Sequence, residues 1–448
     1  MLAIRSCGIM KNMLCPKNTL KGNSSRTINL FLIFSLISLI CVIVLAMLSE
    51  GDALNSILYG YDYYMDFFNS ICDASTRGVY SERGVIYPPL SNLIFFTLSK
   101  MVPSKYAMLE FEGGQRLQMH ESGLCQLLFV IFVSTMVFGL GILFYDTLQR
   151  SKSKIAAFAT SLFLVISFPM IYCIQRGNII LLSLLLSVFF VFYRNSENKV
   201  IRELSYIALA LAAGIKIFPA LFGLLLINDK KYKEAGRLVI YGVLAFFVPF
   251  AFYGGIDGFL CFINNIFAFS GDKTTYYSIS GTSISNVLSW IALGFGMDLN
   301  LTIKIAKLIV YAGCIFVFVF AKEDWKKLTA IFLIIANVDS LARFYILIFL
   351  LIPFVSYILK HSSGKMNTVF GILFGVLIIT IPCFWYFKMG AITDILHDGY
   401  GINSDVVKLL GKPNVLISPF IIVLFELLLT IDTAVCLKRR TKAAKTTE

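Results

Sequence analysis

Twenty-one residues from Ile28 to Leu48 pass without a single charge. As a helix rising about 1.5 Å per residue, such a run matches the roughly 30 Å hydrocarbon core of a bilayer. Long apolar runs return at 124–147, 155–175, 177–193, 238–253, 302–321, 367–387 and 414–437. Two pairs of shorter runs lie at 204–214 with 217–227, and at 328–338 with 344–359. Inside lipid, backbone N–H and C=O groups must bond within their own segment, which restricts such runs to helices. A barrel would show short strands of alternating polarity instead. With 58% hydrophobic and 15% charged residues, the chain also carries more apolar surface than a soluble domain can bury. The expectation is an all-α, polytopic transmembrane bundle of about ten to twelve membrane helices.

The charges between the runs set the orientation. Lys and Arg cluster at 1–26, 150–154, 194–202, 230–237, 322–327, 360–365 and 438–445. Cytoplasmic loops carry the basic excess, and placing these clusters together inside collects roughly 25 of the 39 Lys and Arg. Both termini are then cytoplasmic, in a multi-pass protein of the plasma membrane. The Ile28–Leu48 run is too long for a signal-peptide core and no small-residue cleavage site follows it, so it reads as a retained signal anchor. The loops 49–123 and 254–300, and the shorter 388–413, face outward. Segments 204–227 and 328–359 must each start and end inside, so each reads as a hairpin or re-entrant pair. The stretch from Gly214 to Pro219 breaks the first, and the stretch from Asn337 to Arg343 breaks the second. Non-helical backbone at membrane depth is tolerated where it is buried in protein or lines a wet cavity. On this reading a basic N-terminus, 1–27, precedes one transmembrane domain, 28–437, and a basic tail, 438–448.

Several function classes fall away. A net charge of +13 would suggest nucleic acid in a soluble protein. Here it belongs to loops facing anionic lipid, and no nucleic-acid partner is expected. The ten cysteines show no CxxC and no paired spacing. Most, such as Cys41, Cys173, Cys314 and Cys383, sit in apolar runs as small hydrophobes. The histidines, His120, His361 and His397, are dispersed. No metal site and no cofactor motif is legible, and the sequence neither demands nor forbids a divalent metal. With no GxGxxG and no Walker loop, a nucleotide-sugar or ATP site has no home. A substrate delivered within the membrane fits better.

Polar chemistry concentrates in a few places. The first outer loop carries Asp62, Asp66, Asp73 and Glu82 among aromatics, then Tyr87-Pro88-Pro89. Asp62 and Asp66 are four apart, so a helix would aim both carboxylates from one face. Apolar neighbours favour the neutral form of a carboxyl, which suits a general base. The plainer alternative is helix capping or solvation. The prolines fix an extended backbone, and Tyr87 could line a cavity. Lys216 lies inside apolar sequence, where a cation is costly and its natural partner is an anionic phosphate. Its alternative is snorkelling to the inner surface. Arg176 and Asn178, between the third and fourth runs, suit phosphate or sugar, or a simple interfacial anchor. Arg343 pairs most simply with Asp339 and only then with a ligand. Asn286 could bond a sugar, or cap a helix.

Taken in order, these stretches resemble the polytopic glycosyltransferases of the GT-C superclass. The sequence DYYMDFF in the first outer loop is followed by YPPL, then RGNII at a span start, GIKIFP before a basic loop, and SISN in a later outer loop. More narrowly they resemble the bacterial family of phosphatidylinositol-mannoside mannosyltransferases and arabinofuranosyltransferases, over about 55–440. The resemblance implies a polyprenyl-phosphate-linked sugar as donor, a lipid or glycan as acceptor, and transfer at the outer leaflet with inversion. It favours mannose. It implies an aspartate base in the first outer loop, which either Asp62 or Asp66 could be, with Asp66 slightly preferred. With the readings above, Lys216, Arg176, Asn178, Tyr87, Arg343 and Asn286 are the candidates to bind the donor's phosphate or sugar. The NVDSLARFY break departs from the family, where Ser-Pro and Trp or His are common, which weakens any role for Asp339 and Arg343. A flippase for lipid-linked sugar and a surface-polysaccharide polymerase are the competing readings. The first predicts internal symmetry and small outer loops, and the second lacks the early acidic loop.

Overall fold

In the computed structural model, every regular element among the described residues is helical. The structure describes residues 24–58, 63–110, 112–271, 281–295, 299–338, 344–360, 364–383 and 412–445. Five helices are long and apolar enough to cross a membrane: Thr27–Leu48, Gly123–Gln149, Tyr232–Tyr253, Asn300–Phe320 and Pro413–Lys442. A bent pair among the described residues, Lys154–Val165 with Phe168–Arg176, turned by 47°, is long and apolar enough when its two helices are taken together. Sequence alone reads 155–175 as one straight run. The bend sits at Ser167-Phe168-Pro169, where proline can open a helix but cannot continue one, because it has no N–H to donate. Shorter apolar helices, among them Pro89–Ser99, Ile180–Tyr193, Gly255–Phe269 and Lys365–Ile378, complete an all-α polytopic membrane bundle.

The chain divides into two compact units. The first comprises 64–157 and 176–271 among the described residues. Here Lys199–Ile215 packs against both Ile180–Tyr193 and Tyr232–Phe247. Asn198 starts that helix by accepting from the N–H groups of Val200 and Ile201, at 2.9 and 3.3 Å. It ends at Ile215 because Lys216 is extended (φ −141°, ψ 126°) and Pro219 follows in a 3-10 turn, Phe218–Gly223. The chain then returns through Leu224–Asn228 to its starting point. Asp229 receives hydrogen bonds from Arg194 and Asn195, both at 3.3 Å, beside the beginning of the helix. The expected hairpin over 204–227 is therefore built, with Lys216 at its tip.

One end of this unit gathers basic loops. Asp146, in the last turns of Gly123–Gln149, accepts from the Tyr193 hydroxyl and, at 2.6 Å, from Arg150. Lys231 donates to Asn195 at 2.8 Å. The loops 150–154, 194–198 and 229–231 thus share a face. At the other end lie the first-loop elements. Val79 and Tyr80 pack on Phe250, Tyr253 and Phe262 in a buried aromatic cluster. Within 254–300, read from sequence as a polar loop, the structure builds the helices Gly255–Gly271 and Ile284–Phe295.

The second unit comprises 24–58, Tyr63, 158–175 and the described residues beyond 280. Asp324–Val338 and the return from Phe344 to Lys360 form the second hairpin, and its break falls on 339–343, outside the described residues. Its two ends meet, with Lys360 Nζ 3.4 Å from Asp324 Oδ2. Lys326 bridges Glu323 at 2.6 Å and Asp432 at 2.8 Å, bringing the Pro413–Lys445 helix to the same face.

Candidate active site

Asp66 stands in the first turn of the Met65–Asp73 helix. Tyr64 precedes that helix with a left-handed backbone (φ 63°), a strained conformation for a tyrosine. Its ring lies 3.9 Å, centroid to centroid, from Phe129, and this packing holds it there. Phe67 and Phe68 are fully buried behind the carboxylate. At the far end of the helix Arg116, buried, pairs with Asp73 at 2.6 Å and donates to the Leu109 carbonyl at 3.2 Å. Burial pushes the Asp73 carboxyl above its usual range, and the Arg116 guanidinium pulls against that shift.

Both oxygens of Asp66 are engaged. Arg176 Nη2 donates to Oδ1 at 2.5 Å, and Asn178 Nδ2 donates to Oδ2 at 2.8 Å. The pair is largely enclosed, with side-chain exposures of 12% for Arg176 and 15% for Asp66. Between the two donors sits Gly177, in the left-handed region (φ 68°). A Cβ there would fall 2.8 Å from Phe67 Cβ and 3.0 Å from Phe129 Cε2. Only glycine lets the Arg176–Asn178 turn close onto the Met65–Asp73 helix. Asn178 also accepts from the Ile180 N–H at 3.0 Å, capping the start of Ile180–Tyr193.

Asn178 Nδ2 also reaches the Tyr87 hydroxyl, at 3.2 Å. The Tyr87 ring carries Lys216 Nζ 3.8 Å above its centroid, a cation–π contact. Tyr87 is fixed through its backbone. Its carbonyl accepts from the Tyr80 hydroxyl at 3.0 Å and from Asn92 at 3.2 Å. Asn265 holds the preceding turn by donating to the Tyr80 and Val85 carbonyls at 2.9 and 3.2 Å. Pro89 then opens the Pro89–Ser99 helix, and Ser91 donates to the Ile215 carbonyl at 2.7 Å. That bond satisfies a terminal carbonyl of Lys199–Ile215 and ties the YPPL turn to the hairpin tip. Gly214 allows the approach, since a Cβ there would stand 2.9 Å from the Ala245 oxygen.

Of the residues singled out in the sequence, five meet here: Asp66, Tyr87, Arg176, Asn178 and Lys216. They come from four separate stretches. Asn286 lies in the second unit, where it works with Ser283 at a helix start. Its Oδ1 accepts from the Ser283 N–H at 3.0 Å and from the Ser283 hydroxyl at 2.6 Å, a capping arrangement. Asn337 supports it, accepting from the Ile284 N–H at 2.9 Å and donating to Glu426 at 2.6 Å. Asp62, Asp339 and Arg343 lie outside the described residues. Sequence reasoning missed Gly177, Asn92, Asn265 and Arg116. Gly177 lies within RGNII but has no role of its own in the sequence reading, and Asn92 lies just past YPPL, whereas Asn265 and Arg116 are remote and carry no local signal.

Chemically the cluster offers a largely enclosed carboxylate, two cations, a phenol and the N-terminus of a helix, an environment suited to an anion beside a hydroxyl. Among the described residues no group of three or more His, Cys, Asp or Glu is placed to hold a metal ion. A family model described as Glycosyltransferase family 87 matches residues 86–343, more than half of the chain. The match includes Tyr87, Arg176, Asn178, Lys216 and Asn286, and begins downstream of Asp62 and Asp66. No curated protein and no solved structure matches.

Proposed function

Because this chain belongs to glycosyltransferase family 87, we propose that it moves a sugar from a polyprenyl-phosphate donor to a lipid or glycan acceptor. The carrying observation is the meeting of Asp66, Arg176, Asn178, Tyr87 and Lys216 at one point. In this reading Asp66 is the general base. The acceptor oxygen attacks the anomeric carbon and its proton passes to the carboxylate. The carbon–oxygen bond to phosphate breaks, its electron pair leaves with the phosphate, and the sugar inverts. Arg176 and Lys216 stabilise the charge gathering on the leaving phosphate. The leaving group is already an anion of low basicity, so a second, acidic carboxyl is less needed than in glycoside hydrolysis. Asn178 and Tyr87 orient the donor. Asp62 is the alternative base. Asn286 and Arg343 are assigned to the donor from the sequence alone, and the preference for mannose rests on resemblance alone.

The reaction is assigned to the outer face of the plasma membrane, with both termini inside. Support comes from the depth of the first unit. Phe129 adjoins the site and Asp146 adjoins the basic face, and the 17 residues between them span about 25 Å of helix. That approaches the roughly 30 Å hydrocarbon core, with the basic loops on the side where they belong.

The test is transfer by purified protein in proteoliposomes, given labelled polyprenyl-phosphate sugars one at a time and a membrane-lipid acceptor. Release of free polyprenyl phosphate together with a glycosylated acceptor is expected for at least one sugar. Movement of intact donor across the bilayer without release would overturn the reading in favour of a flippase.

A further inference from the structure

Among the described residues of the second unit, two cavities adjoin. One, of about 550 Å³, opens among the ends of Asn300–Phe320, Asp324–Val338, Lys365–Ile378 and Pro413–Lys445. Five cations line it, Lys322, Lys326, Lys365, Arg439 and Arg440, against two carboxylates, Glu323 and Asp432. Lys326 is held by both carboxylates, so the balance of the cavity is positive. The other, of about 840 Å³, runs between the Ser24–Leu48 and Lys365–Ile378 helices over a floor that includes Phe354. Its lining is almost wholly apolar. Gly364 and Asn367 line both cavities, so the basic mouth borders the apolar groove.

Groove dimensions and charge together identify an occupant. Along the first helix the lining runs from Thr27 to Cys41, about 21 Å at 1.5 Å per residue. One leaflet's hydrocarbon is about 15 Å deep. Gly375 keeps the facing wall low, since a Cβ there would meet nothing closer than 3.9 Å. A positive mouth above an apolar slot of leaflet depth is the shape of one molecule: an anionic head on an acyl chain. Basic pockets between membrane helices recognise anionic head groups in this way. The cations of the mouth come from the basic clusters 322–327, 360–365 and 438–445 of the sequence, the set that the charge bias assigns to the cytoplasmic leaflet.

We propose that this composite cavity is a binding site for an anionic phospholipid of the leaflet on the basic side, with its phosphate among Lys322, Lys365 and Arg439 and one acyl chain along the groove. The site belongs to the second unit, and the Asp66 cluster belongs wholly to the first. In this proposal the lipid is a resident of the second unit's fold and is distinct from the sugar donor.

Full-length protein, purified in mild detergent and stripped of lipid, is mixed with phosphatidylglycerol, phosphatidylcholine or polyprenyl phosphate, and retained lipid is counted by native mass spectrometry. Phosphatidylglycerol is expected to be retained in preference to phosphatidylcholine. Neutralising the mouth with Lys322→Gln, Lys365→Gln and Arg439→Gln should lower its retention about ten-fold or more. Gly375→Leu fills the groove without touching charge, and should lower retention of both phospholipids. Equal retention of the two phospholipids by the unmodified protein would overturn the proposal, as would full retention by Gly375→Leu. Polyprenyl phosphate outcompeting phosphatidylglycerol would overturn the choice of ligand. Should the triple variant fail to fold, the lipid preference of the unmodified chain and Gly375→Leu decide the matter.

Discussion

At the scale of single residues, the arrangement depends on contacts that admit few substitutes. Gly177 combines a left-handed backbone with a Cβ position already taken by Phe67. Gly177→Ala should destabilise the protein by roughly 2–3 kcal/mol and displace Arg176 and Asn178 from Asp66. Thermal unfolding in detergent would read the first effect, and transfer activity falling faster than stability would read the second. Tyr87 separates two roles. Tyr87→Phe keeps the ring beneath Lys216 and loses the hydroxyl's bond to Asn178, so a reduction of about ten-fold or less is expected. Tyr87→Ala removes both and should cost clearly more. Equal rates for the two variants would show that the ring does nothing for Lys216. In the second unit, Asn337→Ala leaves the Ile284 N–H and Glu426 without that partner and should cost about 1–3 kcal/mol with no change in the Asp66 cluster.

At the scale of elements, what the sequence discloses follows from where its signals are local. Both hairpins are legible because each has a polar or proline-bearing break in an apolar run, flanked by basic clusters of one sign. The ion pairs Arg194–Asp229 and Lys360–Asp324 close them as expected. The bend at Ser167–Pro169 is less visible, since serine and proline there barely lower the apolarity of the run. The Gly255–Gly271 helix is hidden for a different reason. Its asparagines read as loop residues, yet Asn265 turns toward the Tyr80 and Val85 carbonyls and holds the first loop in place. The site shows the same division. Asp66, Arg176, Asn178, Tyr87 and Lys216 stand out because polar groups are scarce in such a chain. That they share one site depends on tertiary contacts no spacing reveals, while Asn286 bonds Ser283 at a helix start in the second unit. Ser91 marks the joint between elements: Ser91→Ala frees the Ile215 carbonyl. It should raise the apparent KM for donor more than it lowers stability, because Lys216 follows directly on that carbonyl.

At the scale of the whole molecule, the account makes a statement about sidedness. In intact cells, a membrane-impermeant thiol reagent should label Glu110→Cys, beside Arg83 in the first loop. Lys230→Cys, on the basic face of the same unit, should react only after permeabilisation. The reverse pattern would invert the topology and move the reaction to the cytoplasmic leaflet. The central claim is narrower than topology: a carboxylate gripped by Arg176 and Asn178 takes the acceptor's proton. Its most direct test is the single-turnover rate of sugar transfer from polyprenyl-phosphate donor by Asp66→Asn, run beside Asp62→Asn in the same membranes. The account predicts a loss of about 10²–10⁴-fold for Asp66→Asn with donor binding retained, and a far smaller effect for Asp62→Asn. Transfer by Asp66→Asn at near the unmodified rate would contradict it.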